Sequence, residues 1–172
     1  MNFPTLTTDR LTLRVPHLDD VPSFTAFARS ERAGFIGGFA EMDAKAIGRA
    51  FGHVAGLWLL RGYSAFTACL RDGTPLGFIG PWYPTAWPEP EFGWSLWDGR
   101  HEGKGYVTEA MQAVLPWTWG QLGLKTCVAY IHPDNAASIA VAKRLGGVRD
   151  PDAPTPPGSD GDLVYRFHPE AS

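Results

Sequence analysis

The sequence predicts an α+β fold in three layers: one mixed, mostly antiparallel sheet with helices on both faces. Three observations carry that expectation. The elements read in the order strand, two helices, three antiparallel-linked strands, helix, strand, helix, strand, without the regular βαβ alternation of a wholly parallel sheet. An Asp72-Gly73 pair sits between two β-rich runs, a strong hairpin signal. The 172 residues, 44% apolar and 19% charged, suffice for one substantial core, and no internal repeat marks a second unit, so residues 1–172 are taken as a single domain.

The elements follow in order. Leu11, Leu13 and Val15 alternate and predict a first strand over 5–15. Asp19 and Asp20, with Pro22 in the first turn, open a helix with Val21, Phe24 and Phe27 on one face. A second helix runs from Asp43, as N-cap, to Arg61, with Ile47, Phe51, Val54 and Trp58 as its buried stripe. On it Gly48, Gly52 and Gly56 form a small-residue ridge. Lys45, Arg49, His53 and Arg61 exclude a membrane helix pair, leaving close helix packing or the floor of a substrate site. Strands over 63–70 and 75–82 flank the Asp-Gly turn, and a Pro/Trp-rich link, 83–90, leads to an aromatic strand over 91–97.

The next helix, 104–122, turns Val107, Met111 and Val114 inward, contains Pro116 and stops at Gly123. Residues 126–132 read as a buried strand. Asn135 caps a short helix with Ile139, Ala142 and Leu145 on one face, ended by Gly146-Gly147. Residues 150–162 read as an exposed loop and 163–167 as a last strand.

Composition narrows the function classes. A net charge of −3 and a pI near 5.9 leave no electrostatic footprint for nucleic acid or an anionic membrane. No apolar stretch approaches ~18 uncharged residues, and Met1 to Thr5 shows neither a basic nor an apolar leader region. The expectation is a cytoplasmic protein, monomer or homodimer. Cys69 and Cys127 each lie inside a strand-like run and read as buried, inert thiols. The five histidines show no metal spacing, so no metal site is expected.

The most informative stretch is Arg100-His101-Glu102-Gly103-Lys104-Gly105. It joins the aromatic strand to a helix start, where several backbone N–H groups have no partner within the helix. Such a turn is an anion site, and a pyrophosphate is its usual occupant. It is not a nucleoside-triphosphate P-loop, because Gly103-Lys104-Gly105 has no glycine at the required distance before it. Nor does it fit the dinucleotide fingerprint, since no acidic residue stands ~20 positions on to hold a ribose.

Arg100-x-x-Gly103-x-Gly105-Tyr106-x-Thr108-Glu109-Ala110 resembles the acyl-CoA pyrophosphate motif of the GNAT family, the Gcn5-related N-acetyltransferases. Thr8-Asp9-Arg10-Leu11-Thr12-Leu13-Arg14, and Asn135-x-x-Ser138 followed by Lys143-Arg144-Leu145-Gly146, resemble the branch that acetylates ribosomal-protein N-termini. The likeness runs from about residue 7 to 167. It implies the acyl-CoA N-acyltransferase fold, whose sheet is splayed at its centre, with acetyl-CoA as co-substrate and a protein N-terminus or small amine as acceptor.

The resemblance also assigns residues. Backbone N–H groups from Gly103 to Tyr106 hold the pyrophosphate, with Arg100, Lys104 and the Thr108 hydroxyl nearby, and the two glycines leave room for phosphate to approach the backbone. Trp94, Ser95 and Leu96 offer backbone groups to the pantetheine amides and the acetyl carbonyl, with a bulge suited to Gly93. Asn135 contacts the pantetheine arm from across the split.

Acetyl transfer to an amine needs a base, an oxyanion donor and an acid for the departing thiolate. Glu91, in Glu-x-Gly-aromatic, is the candidate base, desolvated by Phe92, Trp94 and Trp87; Glu89 is its rival on the same face. Backbone N–H groups over 94–96 are the oxyanion donors. Ser138 is the candidate acid, the tyrosine used elsewhere in the family being absent near Ala142, or else it only helps cap its helix. Trp82, Trp87, Trp94, Trp97 and Phe39 form either an aromatic mouth for the acceptor or part of the core. A non-catalytic acyl-CoA-binding protein on the same fold is the alternative function.

Overall fold

The computed structural model describes residues 3–36 and 43–169. Among them one sheet has the order β1 (Leu6–Thr7), β2 (Leu11–Arg14), β3 (Phe66–Leu70), β4 (Pro75–Trp82), β5 (Glu91–Trp94), β6 (Cys127–Ile131), β8 (Leu163–Phe167), β7 (Val148–Arg149). All neighbours are antiparallel except β5 and β6. Four helices accompany the sheet: α1 (Val21–Ala28), α2 (Ala44–Leu60), α3 (Tyr106–Gln121) and α4 (Ala136–Arg144). This is the mixed, mostly antiparallel architecture that the element order predicts.

The predicted first strand is in fact two. The Leu11 N–H bonds the Thr8 hydroxyl at 3.0 Å, the Thr8 N–H bonds the Leu11 carbonyl at 3.0 Å, and Leu6 pairs with Leu13. A short polar side chain bonding the backbone three residues on competes with extension, so the chain doubles back. Strand β7 was not legible either, since two residues carry no period. It is held by its ladder to β8, beside which the Arg149 guanidinium donates to the Val164 carbonyl at 3.0 Å.

The core divides in two. Leu11, Leu13, Phe66 and Ala68 pack with Met111 and Val114 of α3 and Ala142 of α4. Phe24, Phe27, Ile47 and Phe51 of α1 and α2 pack with Ala65, Phe78 and Trp97. Neighbouring positions along β3 divide between them: Phe66 and Ala68 face the first cluster, Ala65 the second, and the Thr67 hydroxyl donates to Asp20 beside α1 at 2.9 Å. Side chains alternate across a strand, so helices cover both faces.

Asp20, 1% exposed, takes a two-pronged bond from Arg14 at 2.7 and 2.8 Å and another from the His17 N–H at 2.9 Å. Burial pushes its carboxyl up, but these bonds together outweigh it and hold the group below its ordinary value.

The glycine ridge of α2 does neither of the things expected of it. Gly48 and Gly52 are exposed, and a Cβ on Gly48, Gly52 or Gly56 would meet nothing within 4 Å. The ridge faces open space and lines no site.

The centre of the sheet positions everything that follows. Strand β5 runs beside β4 in unbroken register, from Trp82↔Glu91 to Ile79↔Trp94. The ladder then continues past the regular strand: the Ser95 N–H bonds the Phe78 carbonyl at 2.8 Å and the Trp97 N–H bonds the Leu76 carbonyl at 2.7 Å. The expected bulge at Gly93 is therefore absent, because Gly93 pairs squarely with Gly80. It is Gly80 that takes the left-handed backbone, at φ 140°. Further along, the Ser95 carbonyl presses on Gly77, where an added Cβ would lie 1.7 Å from its oxygen, so only glycine fits. On its other edge β5 meets β6 at one position, Glu91↔Val128, with the Val128 N–H donating to the Pro90 carbonyl at 3.0 Å. Beyond that rung the two parallel strands diverge, which is the splay that the resemblance implies.

Candidate active site

The divergence turns backbone groups of β5 toward an opening. Ser95 and Trp97 spend their N–H groups on β4. Alternation along an extended chain then directs the N–H groups of Trp94 and Leu96 to the β6 side. Of the three residues expected to offer backbone groups, Trp94 and Leu96 turn their N–H groups to the β6 side, whereas Ser95 turns its N–H and carbonyl to β4, against the expectation, and only lines the cavity. The Leu96 carbonyl accepts from Arg32 at 3.0 Å, and the same guanidinium nitrogen bonds Glu102 at 2.6 Å. Arg32 thereby ties the end of the strand to the glycine turn.

That turn ends in two left-handed glycines, Gly103 at φ 69° and Gly105 at φ 79°. They cannot continue a helix, which is why α3 begins at Tyr106 rather than at the predicted 104. Gly105 is the N-cap and brings no capping side chain. The first ladder bond runs from the Glu109 N–H to the Gly105 carbonyl at 3.0 Å, so the amides of Tyr106, Val107 and Thr108 precede the helical ladder.

Among the cationic side chains expected here, Lys104 is exposed in the turn and Arg100 pairs with Asp98 at 2.7 Å in solvent. Two further arginines stand closer to the helix. The Arg10 guanidinium lies over the Tyr106 ring at 4.5 Å and bonds Glu109 at 2.6 Å, and Arg144 donates to the Thr108 hydroxyl at 3.4 Å. Both were within the quoted sequence stretches, but nothing in their spacing pointed to α3.

A cavity of about 670 Å³ brings together Glu91, Trp94, Ser95, Asn135 and Ser138. Glu91 stands at the last paired rung. Its Oε2 accepts from two indoles, Trp82 at 2.9 Å and Trp87 at 2.6 Å. The residue as a whole is half-buried, its remaining surface facing the cavity, whereas its carboxyl is packed round like an interior group. Burial, with the charge of Asp162 adding to it, outweighs the two indole bonds and raises that carboxyl to about 7. A carboxylate that changes charge near neutrality, in a cavity, has the properties of a general base.

Its rival is committed elsewhere. Glu89 makes a two-pronged pair with Arg166 at 2.6 and 2.8 Å, and Arg166 also holds Asp150 at 2.5 Å and the Thr126 hydroxyl at 3.0 Å.

Asn135 caps α4, its Oδ1 accepting from the Ser138 N–H at 3.1 Å. The Ser138 hydroxyl does not cap the helix. It accepts from the Trp94 indole at 3.3 Å, joining α4 to β5 across the opening. Of the expected aromatic mouth, Trp82, Trp87 and Trp94 line the cavity, Trp97 belongs to the core at 5% exposure, and Phe39 lies outside the described residues. Sequence reading missed Tyr130, whose buried hydroxyl has no partner among the described residues, and the loop from Pro156 to Asp162, which supplies a wall of the cavity. A strand-end tyrosine and a proline-rich loop carry no local mark of a site.

Comparison with known proteins agrees with this geometry. The acetyltransferase (GNAT) domain model matches residues 10–148. The crystal structure of an acetyltransferase from Agrobacterium tumefaciens str. C58 shares 39% identity and superposes with a TM-score of 0.90, over 98% of this chain and 96% of that one. An uncharacterized N-acetyltransferase of Bacillus subtilis (strain 168), YnaD, is 33% identical over 60 residues, a match spanning 35% of each protein. RimL, a ribosomal L7/L12 alpha-N-protein acetyltransferase solved in complex with coenzyme A, shares the fold at 21% identity, with a TM-score of 0.70 over 96% of this chain and 97% of that one.

Proposed function

The chain belongs to the GNAT acetyltransferase family, and on that premise we propose that it is an acetyl-CoA-dependent N-acetyltransferase acting on a primary amine by direct attack in a ternary complex. One observation carries the reading: strands β5 and β6 share a single rung, and the carboxylate at that rung, Glu91, opens into the same cavity as Ser138. The co-substrate fits what is present. The uncapped start of α3 suits a diphosphate, left-handed Gly103 offers no side chain to obstruct it, and the divergence beyond Glu91 leaves β5 amides unpaired with β6 for an extended arm.

The chemistry divides among residues already described. Glu91 takes the proton from the amine nitrogen as that nitrogen bonds the thioester carbonyl carbon. The Trp94 and Leu96 amides stabilise the oxyanion that forms. As the carbon–sulfur bond breaks, the thiolate is protonated from the Ser138 side, giving free CoA and the amide. No residue need be acylated.

Free-thiol release from acetyl-CoA with mixed amines and N-terminal peptides tests the proposal. Turnover that drops at least a hundredfold in Glu91→Gln, with acetyl-CoA affinity kept, supports it. Tight CoA binding without turnover on any amine would replace the enzyme with a binding protein.

A further inference from the structure

The lining of the cavity is as informative as its catalytic corner. Two carboxylates face it, Glu91 and Asp162, and its described lining residues include no Lys or Arg. Arg166, on β8, is saturated by Glu89, Asp150 and Thr126. His53 and His132 are the lining groups able to gain positive charge; His132 sits against the Phe35 ring at 5.5 Å and His53 near Trp82 at 6.1 Å. Flat aromatic surface supplies much of the rest: Trp82 and Trp87 stand edge to face at 5.3 Å beside Glu91, with Phe35 and Tyr130 on other sides. The stretch from Pro156 to Ser159 contributes a further wall. A volume of about 670 Å³ is that of a small-molecule site, and it must also admit the acetyl end of the co-substrate.

Charge and shape together constrain the acceptor. Indole faces and carboxylates attract an ammonium as it enters. A carboxylate placed beside the nitrogen would meet Glu91 and Asp162 with no lysine or arginine among the described lining residues to offset it. A volume of that size seats one small body beside the acetyl end. Resting on the transferase reading above, we propose that the acceptor is a small primary amine on a flat, uncharged body with no carboxylate beside the nitrogen.

The test uses the intact protein and acetyl-CoA at about pH 8, above the raised value of Glu91. The probes are 2-phenylethylamine, phenylalanine amide, phenylalanine and a peptide beginning Ser-Ala. The amide and acid differ by one carboxylate charge at nearly equal size, and each kcat/KM is taken per unprotonated amine, because the adjacent carboxylate makes the amine of the acid more basic. We expect kcat/KM for the amide and for 2-phenylethylamine to exceed that for phenylalanine about thirtyfold or more, as for one carboxylate brought within several ångströms of another in a site of intermediate dielectric. Asp162→Asn should narrow the amide-to-acid ratio to a few-fold. Amide and acid within a factor of about three of each other, or the peptide as the best acceptor, would overturn the inference while leaving an acetyltransferase. Bound acetyl-CoA with no probe acetylated would instead remove the transferase reading, and this inference with it.

Discussion

Replacing Trp87 by Phe tests the base more sharply than removing the base does. An aromatic ring remains, smaller than the indole, and the carboxyl loses the N–H that bonds Glu91 Oε2 at 2.6 Å. A hydrogen bond to a charged acceptor contributes about 1.5–3 kcal/mol, or about 1–2 pH units on the carboxyl, in the direction that favours its protonated form. The wild-type carboxyl titrates near 7, so about half is ionised at that pH, against about 1–10% in the variant. At pH 7 kcat/KM for the acceptor should therefore fall about 5- to 50-fold in Trp87→Phe and recover as pH rises toward 9. The assay is thiol release against pH for both proteins with one amine, whose own ionisation cancels in the ratio. Superimposable profiles would refute the role given to Glu91.

Further expectations follow from the same geometry. Because the Glu91 carboxyl is raised from its ordinary 4.5 to about 7, its proton is bound more tightly folded than unfolded. That contribution to stability is complete below 4.5 and lost as pH climbs through 7. Glu91→Gln should thus gain about 2 kcal/mol over wild type between pH 4 and pH 8, allowing for partial exposure, measured by urea unfolding at each pH, even as it loses activity. Glu89→Gln should do the reverse: it leaves Arg166 short of a partner and lowers Tm by several degrees at about 2–4 °C per kcal/mol, with kcat/KM kept within a few-fold. Gly105→Ala forces a left-handed residue at φ 79° to carry a Cβ, costing about 1–2 kcal/mol, and should raise KM for acetyl-CoA more than KM for the amine. Tyr130→Phe removes a buried hydroxyl with no partner among the described residues and should leave stability unchanged or raise it by about 1 kcal/mol, read as Tm without ligand.

Much of this molecule was legible in its residues, and what was not has physical reasons. Helix α2 was plain because Asp43 caps it, its side chain accepting from the Ala46 N–H at 2.7 Å, and because Ile47, Phe51 and Trp58 share a buried stripe. The β3–β4 hairpin followed from Asp72-Gly73, with Gly73 at φ 90°. Glu91, Trp94 and Ser138 were found through motif residues, and they meet in one cavity. The doubled first strand was not foreseen, since it depends on Thr8, whose hydroxyl accepts from the Leu11 N–H while its own N–H bonds the Leu11 carbonyl. The glycine ridge misled because spacing reports which residues share a face and not what that face meets. Arg10, Arg32 and Arg166 act through partners roughly 70 to 100 positions away, a distance over which local pattern is silent. Tyr130 and Asp162 gain their meaning only from closure of the sheet.

The lone rung between β5 and β6 has a mechanical consequence. Elsewhere, prying two strands apart means breaking a ladder, one bond per residue pair, with each freed group left wanting. Here the seam was never sewn beyond Glu91 and Val128. A slender guest can slip in and withdraw without breaking a ladder bond, so loading and release need not unravel the strands that aim the reacting groups.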